Sequence, residues 1–230
     1  MIGRRGDGFH DIKTTIQSID LHDLLFIATA PDTLLTTSGL SVTGATDNTV
    51  LKAHAALEQA CMRKMPAHFH LHKRIPPGSG MGGASSDAAA ALRGIKDLYR
   101  LDIELAPIAT QVGADVPYFL RGGRMRAEGR GERLTPLTMQ PAMYVIAWPG
   151  IELQTAAVYA AWDEVGGDGV NQLARAAHHA DPRVGDFART LGDQWRMTGS
   201  GSAFFKETAG DDAPDMKVWT TVAHAVGPWS

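Results

Sequence analysis

With a single cysteine, Cys61, the 230-residue chain can form no internal disulfide. Flanked by Ala60 and Met62, it reads as a small packed hydrophobe rather than a nucleophile. No apolar run approaches the ~18 residues needed to span a bilayer, and Met1-Ile-Gly-Arg-Arg-Gly-Asp has no apolar leader core. A cytoplasmic location without a membrane partner is the expectation. A surplus of positive charge is missing too: 22 Lys and Arg stand against 25 Asp and Glu, a net charge of −3, so nucleic acid is not an expected partner. There is no internal repeat or low-complexity tract. What remains is an ordinary globular composition, 44% hydrophobic and 20% charged, long enough for one large or two modest domains. Basic residues are clustered locally, at Arg4-Arg5, Lys73-Arg74 and Arg121, Arg124, Arg126, Arg130 and Arg133. Such clusters suit a phosphorylated small molecule or a plain solvated face.

What is abundant is glycine, in one place. Arg74-Ile-Pro-Pro-Gly-Ser-Gly-Met-Gly-Gly-Ala-Ser-Ser-Asp87 puts four glycines between Gly78 and Gly83 and runs into Ala88-Ala-Ala-Ala-Leu92. This is a loop feeding a helix N-terminus, where bare backbone N–H groups and the helix dipole favour an anion, most often phosphate. A capped tight turn, with Ser85, Ser86 and Asp87 as caps, needs fewer glycines. Gly78, Gly80 and Gly83 also satisfy a dinucleotide G-x-G-x-x-G, with Asp102 near the acidic position, but Pro76-Pro77 intervenes and repeated βαβ units are not evident. A Walker A loop is excluded because no Lys-Ser/Thr pair follows.

Around it the chain reads as a mixture of strands and helices. Alternation marks a strand through Ile12 to Leu21 and two more between Leu24 and Thr43. Asp47-Asn48-Thr49 caps a helix carrying Val50, Ala53, His54, Leu57 and Cys61. Ala67 to Ile75 is a strand with Phe69 and Leu71 on one face. His68, His70 and His72 share the other, a solvated strand face rather than a metal site, and no resident metal is expected. Ala88, Leu92, Ile95 and Tyr99 form the buried stripe of the next helix. Asp115 lies in Val112-Gly-Ala-Asp-Val-Pro-Tyr-Phe119, a carboxylate in apolar company and hence either a cap or a functional group. Pro136 to Pro141 suggests a boundary between domains at 1–138 and 139–230. A strand follows at 142–148, then a helix from Gln154, helices around Asn171 and Asp186, a second glycine turn at Met197-Thr-Gly-Ser-Gly-Ser-Ala-Phe-Phe205, a helix candidate after Gly210, and a last strand over 220–226.

Pro77-Gly-Ser-Gly-Met-Gly-Gly-Ala-Ser-Ser-Asp87 resembles the phosphate loop of the small-molecule kinases grouped as galactokinase, homoserine kinase, mevalonate kinase and phosphomevalonate kinase. Asp7-Gly-Phe-His10 with Thr15, Gln17 and Asp20, Gly113-Ala-Asp-Val-Pro-Tyr-Phe-Leu120, Gly122 to Leu134 and Met197 to Phe205 resemble further segments of one branch of that family, in family order. The resemblance implies an α/β fold of two domains, α+β in detail. Its N-terminal, ATP-binding domain would be like domain 2 of ribosomal protein S5 and its C-terminal domain ferredoxin-like, with the active site in the cleft. It implies ATP with Mg²⁺ as cofactor, and ATP contacts from Pro77, Gly78, Ser79, Gly80, Met81, Gly82, Gly83, Ala84, Ser85, Ser86 and Asn48. Asp115 becomes the catalytic base. Phe9 and His10 would hold a cytosine, with Thr15, Asp115, Thr155 and Tyr159 as further substrate contacts and the Tyr159 ring on the base's other side. The implied reaction phosphorylates the 2-hydroxyl of a cytidine-diphosphate-linked methylerythritol, a step toward isoprenoid precursors. The oligomeric state stays open, a homodimer being one expectation.

One departure bears on that reading. Members of this branch open with a strand, "P-A-K-I-N-L", whose lysine helps position the reacting hydroxyl, and nothing before Asp7 supplies it. Two readings follow, a chain begun at an internal methionine or a nucleotide-binding homologue with impaired chemistry; separately, another small-molecule kinase of the same family could share the loop and Thr198 to Gly201.

Overall fold

The computed structural model describes residues 3–4, 6, 8–41, 48–210 and 216–229. Arg5, Asp7, Asp47 and the side chain of Arg4 lie outside them, as does most of the helix candidate after Gly210. The elements begin with β1 (Gly3–Arg4), β2 (His10–Gln17), β3 (Leu24–Thr29), β4 (Leu34–Gly39), α1 (Thr49–Cys61), β5 (Ala67–Lys73) and α2 (Gly83–Leu98). They continue with α3 (Ala106–Val112), α4 (Val116–Phe119), β6 (Arg124–Gly129), β7 (Arg133–Pro136), β8 (Met143–Trp148) and α5 (Thr155–Val165). Last come α6 (Ala174–Ala180), α7 (Pro182–Leu191), β9 (Arg196–Met197), β10 (Phe204–Thr208) and β11 (Trp219–His224).

Three sheets result, ordered β1-β2-β6-β7, β3-β5-β4 and β11-β8-β10-β9. The parallel pair β4–β5 is joined through α1, whose N-cap Asn48 accepts a hydrogen bond from the Val50 amide at 2.9 Å. After the glycine loop, α2 leads through α3 and α4 to β6, which pairs antiparallel with β2 in another sheet. Among the described residues no parallel strand follows the loop, so the dinucleotide reading of Gly78, Gly80 and Gly83 fails on topology. Counting from β8, the last sheet has the order 4-1-3-2, as the ferredoxin-like expectation requires.

The first core packs α1 and α2 against the inner face of β3-β5-β4, with Leu57, Phe69, Leu71, Leu92 and Ile95 at 0 to 1% exposure. Removing any of these large side chains would cost about 2–5 kcal/mol. The second gathers α5, α6 and α7 on β9 and β10 through Val158, Leu173, Val184 and Phe204. A small third cluster brings Ile146, Ala203 and Ala223 together with Ile19, Leu21 and Met81, and so joins the two halves. The tail returns as well: Trp229 donates from Nε1 to the Phe119 carbonyl at 2.9 Å, and its ring lies against Gly122. Cys61 packs at the margin of the first core, as its neighbours suggested.

The outer face of β5 is partnered rather than merely wet. Thr36 Oγ1 bridges His68 Nε2 and His70 Nδ1, each at 2.9 Å, and Ser38 Oγ bridges His70 Nε2 and His72 Nδ1 at 3.1 and 3.0 Å.

Candidate active site

The glycine loop is held from behind by the second glycine turn. Gly78 O accepts from the Ser202 and Leu153 amides at 3.0 and 3.2 Å, and Ser79 O accepts from Ala203 N at 3.1 Å and Thr198 Oγ1 at 2.5 Å. Gly78, Gly80 and Gly82 have φ of 59°, 76° and 74°, the region where glycine carries no steric cost. At Gly80 the requirement is double, because a Cβ there would run into the Thr198 carbonyl and come within 2.7 Å of Gly201 N. Two glycine turns from opposite halves therefore sit back to back. The loop then enters α2 at an N-cap, Gly82, that offers no side chain, which leaves the first-turn amides to an external anion. Thr49 Oγ1 donates to the Ala84 carbonyl at 2.8 Å, which sets Asn48 and the start of α1 beside that turn.

The alternative of a turn capped by Ser85, Ser86 and Asp87 does not hold, because the N-cap is Gly82 and no side chain caps the helix. Ser86 Oγ donates to the Gly83 carbonyl at 2.8 Å, and Asp87 turns inward. Its carboxylate accepts from Lys73 Nζ at 2.8 Å, and Lys73 is also bonded to Asp23, all three groups being buried. The other Asp23 oxygen accepts from the Arg74 and Ile75 amides at 2.6 and 2.8 Å. Burial raises Asp87 to about 7, with the nearby Asp23 charge adding to the rise and Lys73 opposing it. This charge cluster ties the strand before the loop to the helix after it. The signal for it was Lys73 itself, on the same parity as Phe69 and Leu71 and therefore on the core face of β5.

Asp115 occupies the N-cap position of α4 and makes no capping bond. Its side chain is solvent-open, yet the protein around it holds the carboxyl above its ordinary value. The protein packed around the carboxyl removes part of the water's support for its charge. A Cβ at Gly131 would lie 3.2 Å from Asp115 Oδ1, so the β6–β7 turn roofs the carboxylate. On the other side α4 presents Phe119 to Gly82 of the loop. The carboxylate thus lies under the β6–β7 turn, at the start of a helix whose far end touches the glycine loop. Its charge also raises the Tyr159 hydroxyl, after burial of that ring.

Tyr159 belongs to an aromatic group. The His10 ring lies 5.1 Å from Tyr159 and 5.4 Å, edge-on, from Trp162, and His10 Nε2 is 2.7 Å from Asp163 Oδ1. The neighbouring Phe9 is 52% exposed, with the Arg130 guanidinium 4.6 Å above its ring. Phe9, His10, Tyr159 and Asp115 are thus brought to one region together with Arg130 of the basic cluster, and with Asp163 and Trp162 as members the sequence reading did not single out. Thr155, at the first turn of α5, joins Ser200 of the second glycine turn at 3.1 Å. Thr15 does not join them. It has the opposite parity to His10 and Ile12 on β2, is exposed, and faces Arg126 across the ladder.

A cradle for phosphates beside a raised, accessible carboxylate is the outline of a small-molecule kinase. Residues 48–123 match the GHMP kinases N terminal domain. A Leishmania major mevalonate kinase crystal structure shares the fold at 16% identity, with a TM-score of 0.67 over 95% of this chain and 91% of that one. The 4-diphosphocytidyl-2-C-methyl-D-erythritol kinase of Polaromonas sp. (strain JS666 / ATCC BAA-500) is 34% identical over 88% of this chain and 77% of its own length. That of Ralstonia pickettii (strain 12J) is 34% identical over 89% and 79%. A crystal structure titled 4-(cytidine 5'-diphospho)-2C-methyl-D-erythritol kinase superposes with a TM-score of 0.76 at 30% identity, covering 97% of this chain and 94% of that one. The chain belongs to the 4-diphosphocytidyl-2-C-methyl-D-erythritol kinase family, within the GHMP kinases.

Proposed function

We propose that the protein transfers the γ-phosphoryl group of ATP to the 2-hydroxyl of 4-diphosphocytidyl-2-C-methyl-D-erythritol, in the non-mevalonate route to isoprenoid precursors. The observation that carries this reading is Asp115: an accessible carboxylate with a raised pKa, set between the phosphate loop and the cluster of Phe9, His10 and Tyr159. Phosphoryl transfer needs mainly positioning and charge neutralisation. In this reading the amides from Gly78 to Ser86 hold the β- and γ-phosphates, Asn48 lies toward the nucleotide, and Asp115 accepts the proton of the attacking hydroxyl. Phe9, His10, Thr155 and Tyr159 hold the cytidine end of the substrate. The division into domains at 138/139 follows the separation of the first two cores.

The donors fit a Mg²⁺ ion that arrives with the nucleotide. Among the described residues no three His, Cys, Asp or Glu side chains converge on a metal. Such an ion takes one or two protein oxygens and otherwise phosphates and water. Asp115 and the Ser85 hydroxyl are the oxygens beside the loop that would hold it; bound there, it would screen the phosphate charge.

ADP release in the presence of Mg²⁺, measured with and without the cytidine-diphosphate substrate, tests the proposal. Substrate-dependent release is expected. Nucleotide binding without release would replace the kinase with a nucleotide-binding homologue.

A further inference from the structure

The contact between His10 and Asp163 joins residues 153 apart in sequence, one at the start of β2 and one on α5. His10 is 8% exposed, and its ring is steadied by Tyr159 and Trp162, one and four residues before Asp163 on the same helix. A carboxylate can only accept, so the nitrogen facing it, Nε2, carries the ring proton. Among the described residues Nδ1 has no hydrogen-bond partner. In its neutral form the ring therefore offers a ligand a lone pair at Nδ1.

A lone pair distinguishes pyrimidines that shape does not. Cytosine carries an exocyclic amine, a donor, where uracil carries a carbonyl, an acceptor. The amine satisfies Nδ1, whereas the carbonyl would set two lone pairs against each other and leave both groups unpaired.

We infer that Asp163 is a positioning residue for base choice: by holding the proton of His10 on Nε2, it makes Nδ1 an acceptor and selects cytidine over uridine substrates. This rests on the reading above that His10 meets the base. One such hydrogen bond discriminates between bases by about tenfold to a hundredfold.

Asp163→Asn inverts the arrangement, because the amide can turn its NH₂ toward Nε2 and drive the ring proton to Nδ1. Calorimetric binding of CDP and of UDP to the wild type, Asp163→Asn and Asp163→Glu reads the consequence. The wild type is expected to prefer CDP, Asp163→Asn to lose at least about tenfold of that preference, and Asp163→Glu to recover it. A role limited to packing would weaken CDP and UDP together and leave their ratio unchanged, and that result overturns the inference. So does equal binding of the two nucleotides by the wild type. If the wild type binds neither, the reading of the site as a cytidine-diphosphate pocket falls instead. Should Asp163→Asn not fold, ¹⁵N spectra of histidine-labelled wild type decide the matter. With the His10 signals assigned by their loss in His10→Gln, a proton on Nε2 supports the assignment and a proton on Nδ1 refutes it.

Discussion

Asp87 and Asp115 lie on helices that meet the same phosphate loop, and surrounding protein raises both above the ordinary aspartate value. They differ in access and company. Asp87 is 5% exposed and shares one ammonium, Lys73, with a second buried carboxylate, Asp23. Asp115 opens to the cleft and stands under the β6–β7 turn, and its charge reaches the Tyr159 hydroxyl. Perturbation alone therefore does not mark a catalytic group; a raised carboxylate that no ligand can reach is part of the scaffold. In the proposed mechanism one of the pair builds the loop and the other uses it.

The largest effect that separates them is on turnover. Asp115→Asn keeps the size of the side chain and removes the proton acceptor, so kcat should fall by about 10²- to 10⁴-fold while ATP binding persists. Undiminished turnover in steady-state assays would erase the distinction. The wild-type pH profile of kcat/KM should have an acidic limb whose midpoint lies above the ordinary aspartate value, because the active form is the ionised one and its pKa is raised.

Lys73→Met should act on stability instead. It leaves two buried carboxylates without their cation, at a cost of about 3–5 kcal/mol, which thermal denaturation would report as a fall in Tm of order 10 °C for a chain of this size. An unchanged Tm would mean that Asp23 and Asp87 do not depend on Lys73.

The same cluster makes stability depend on pH in a definite direction. The folded pKa of Asp87, about 7, exceeds its ordinary value of 3.8, so the folded state binds the proton more tightly than the unfolded chain does. The contribution is complete below about pH 4 and is lost as pH rises toward 7. Asp87→Asn cannot ionise and keeps an acceptor for Lys73, so its stability relative to the wild type should increase across that window. Urea melts at pH 5 and pH 8 measure this, and an equal difference at both values would assign the slope elsewhere.

How much of this could be read before folding differs between the two carboxylates for a physical reason. The loop announces itself because its conformation demands glycine at adjoining positions, and Asp115 because it interrupts an apolar segment. Asp87 sits where a polar residue is usually a helix cap, and the residue that turns it inward, Lys73, lies 14 positions earlier. The Asp23 partner is 50 positions from Lys73 and becomes visible only when β3 and β5 pair. Likewise the resemblance placed His10 and Tyr159 at one ligand, but the grip of Asp163 on His10 depends on how α5 docks against β2. Thr15 lies on the face of β2 opposite His10, a matter of strand parity that register settles and motif spacing does not.

The smallest predicted effect isolates what the junction between the glycine turns contributes. Gly80 and Gly150 have nearly the same backbone, with φ of 76° and 78°. A Cβ at Gly150 meets nothing within 4 Å, whereas one at Gly80 meets the Thr198 carbonyl and the Gly201 amide of the opposing turn. Gly150→Ala should therefore cost only the left-handed backbone strain, about 1–2 kcal/mol. Gly80→Ala adds a collision between two main chains, neither of which has a flexible side chain to move aside. It should cost more than Gly150→Ala in denaturant melts and also weaken ATP binding, because relief requires the loop to lift from Thr198 and lose the bonds to Gly78 and Ser79. Equal costs with ATP affinity intact would mean that the loop keeps its shape without the second turn, and that the two halves meet there without holding the nucleotide site together.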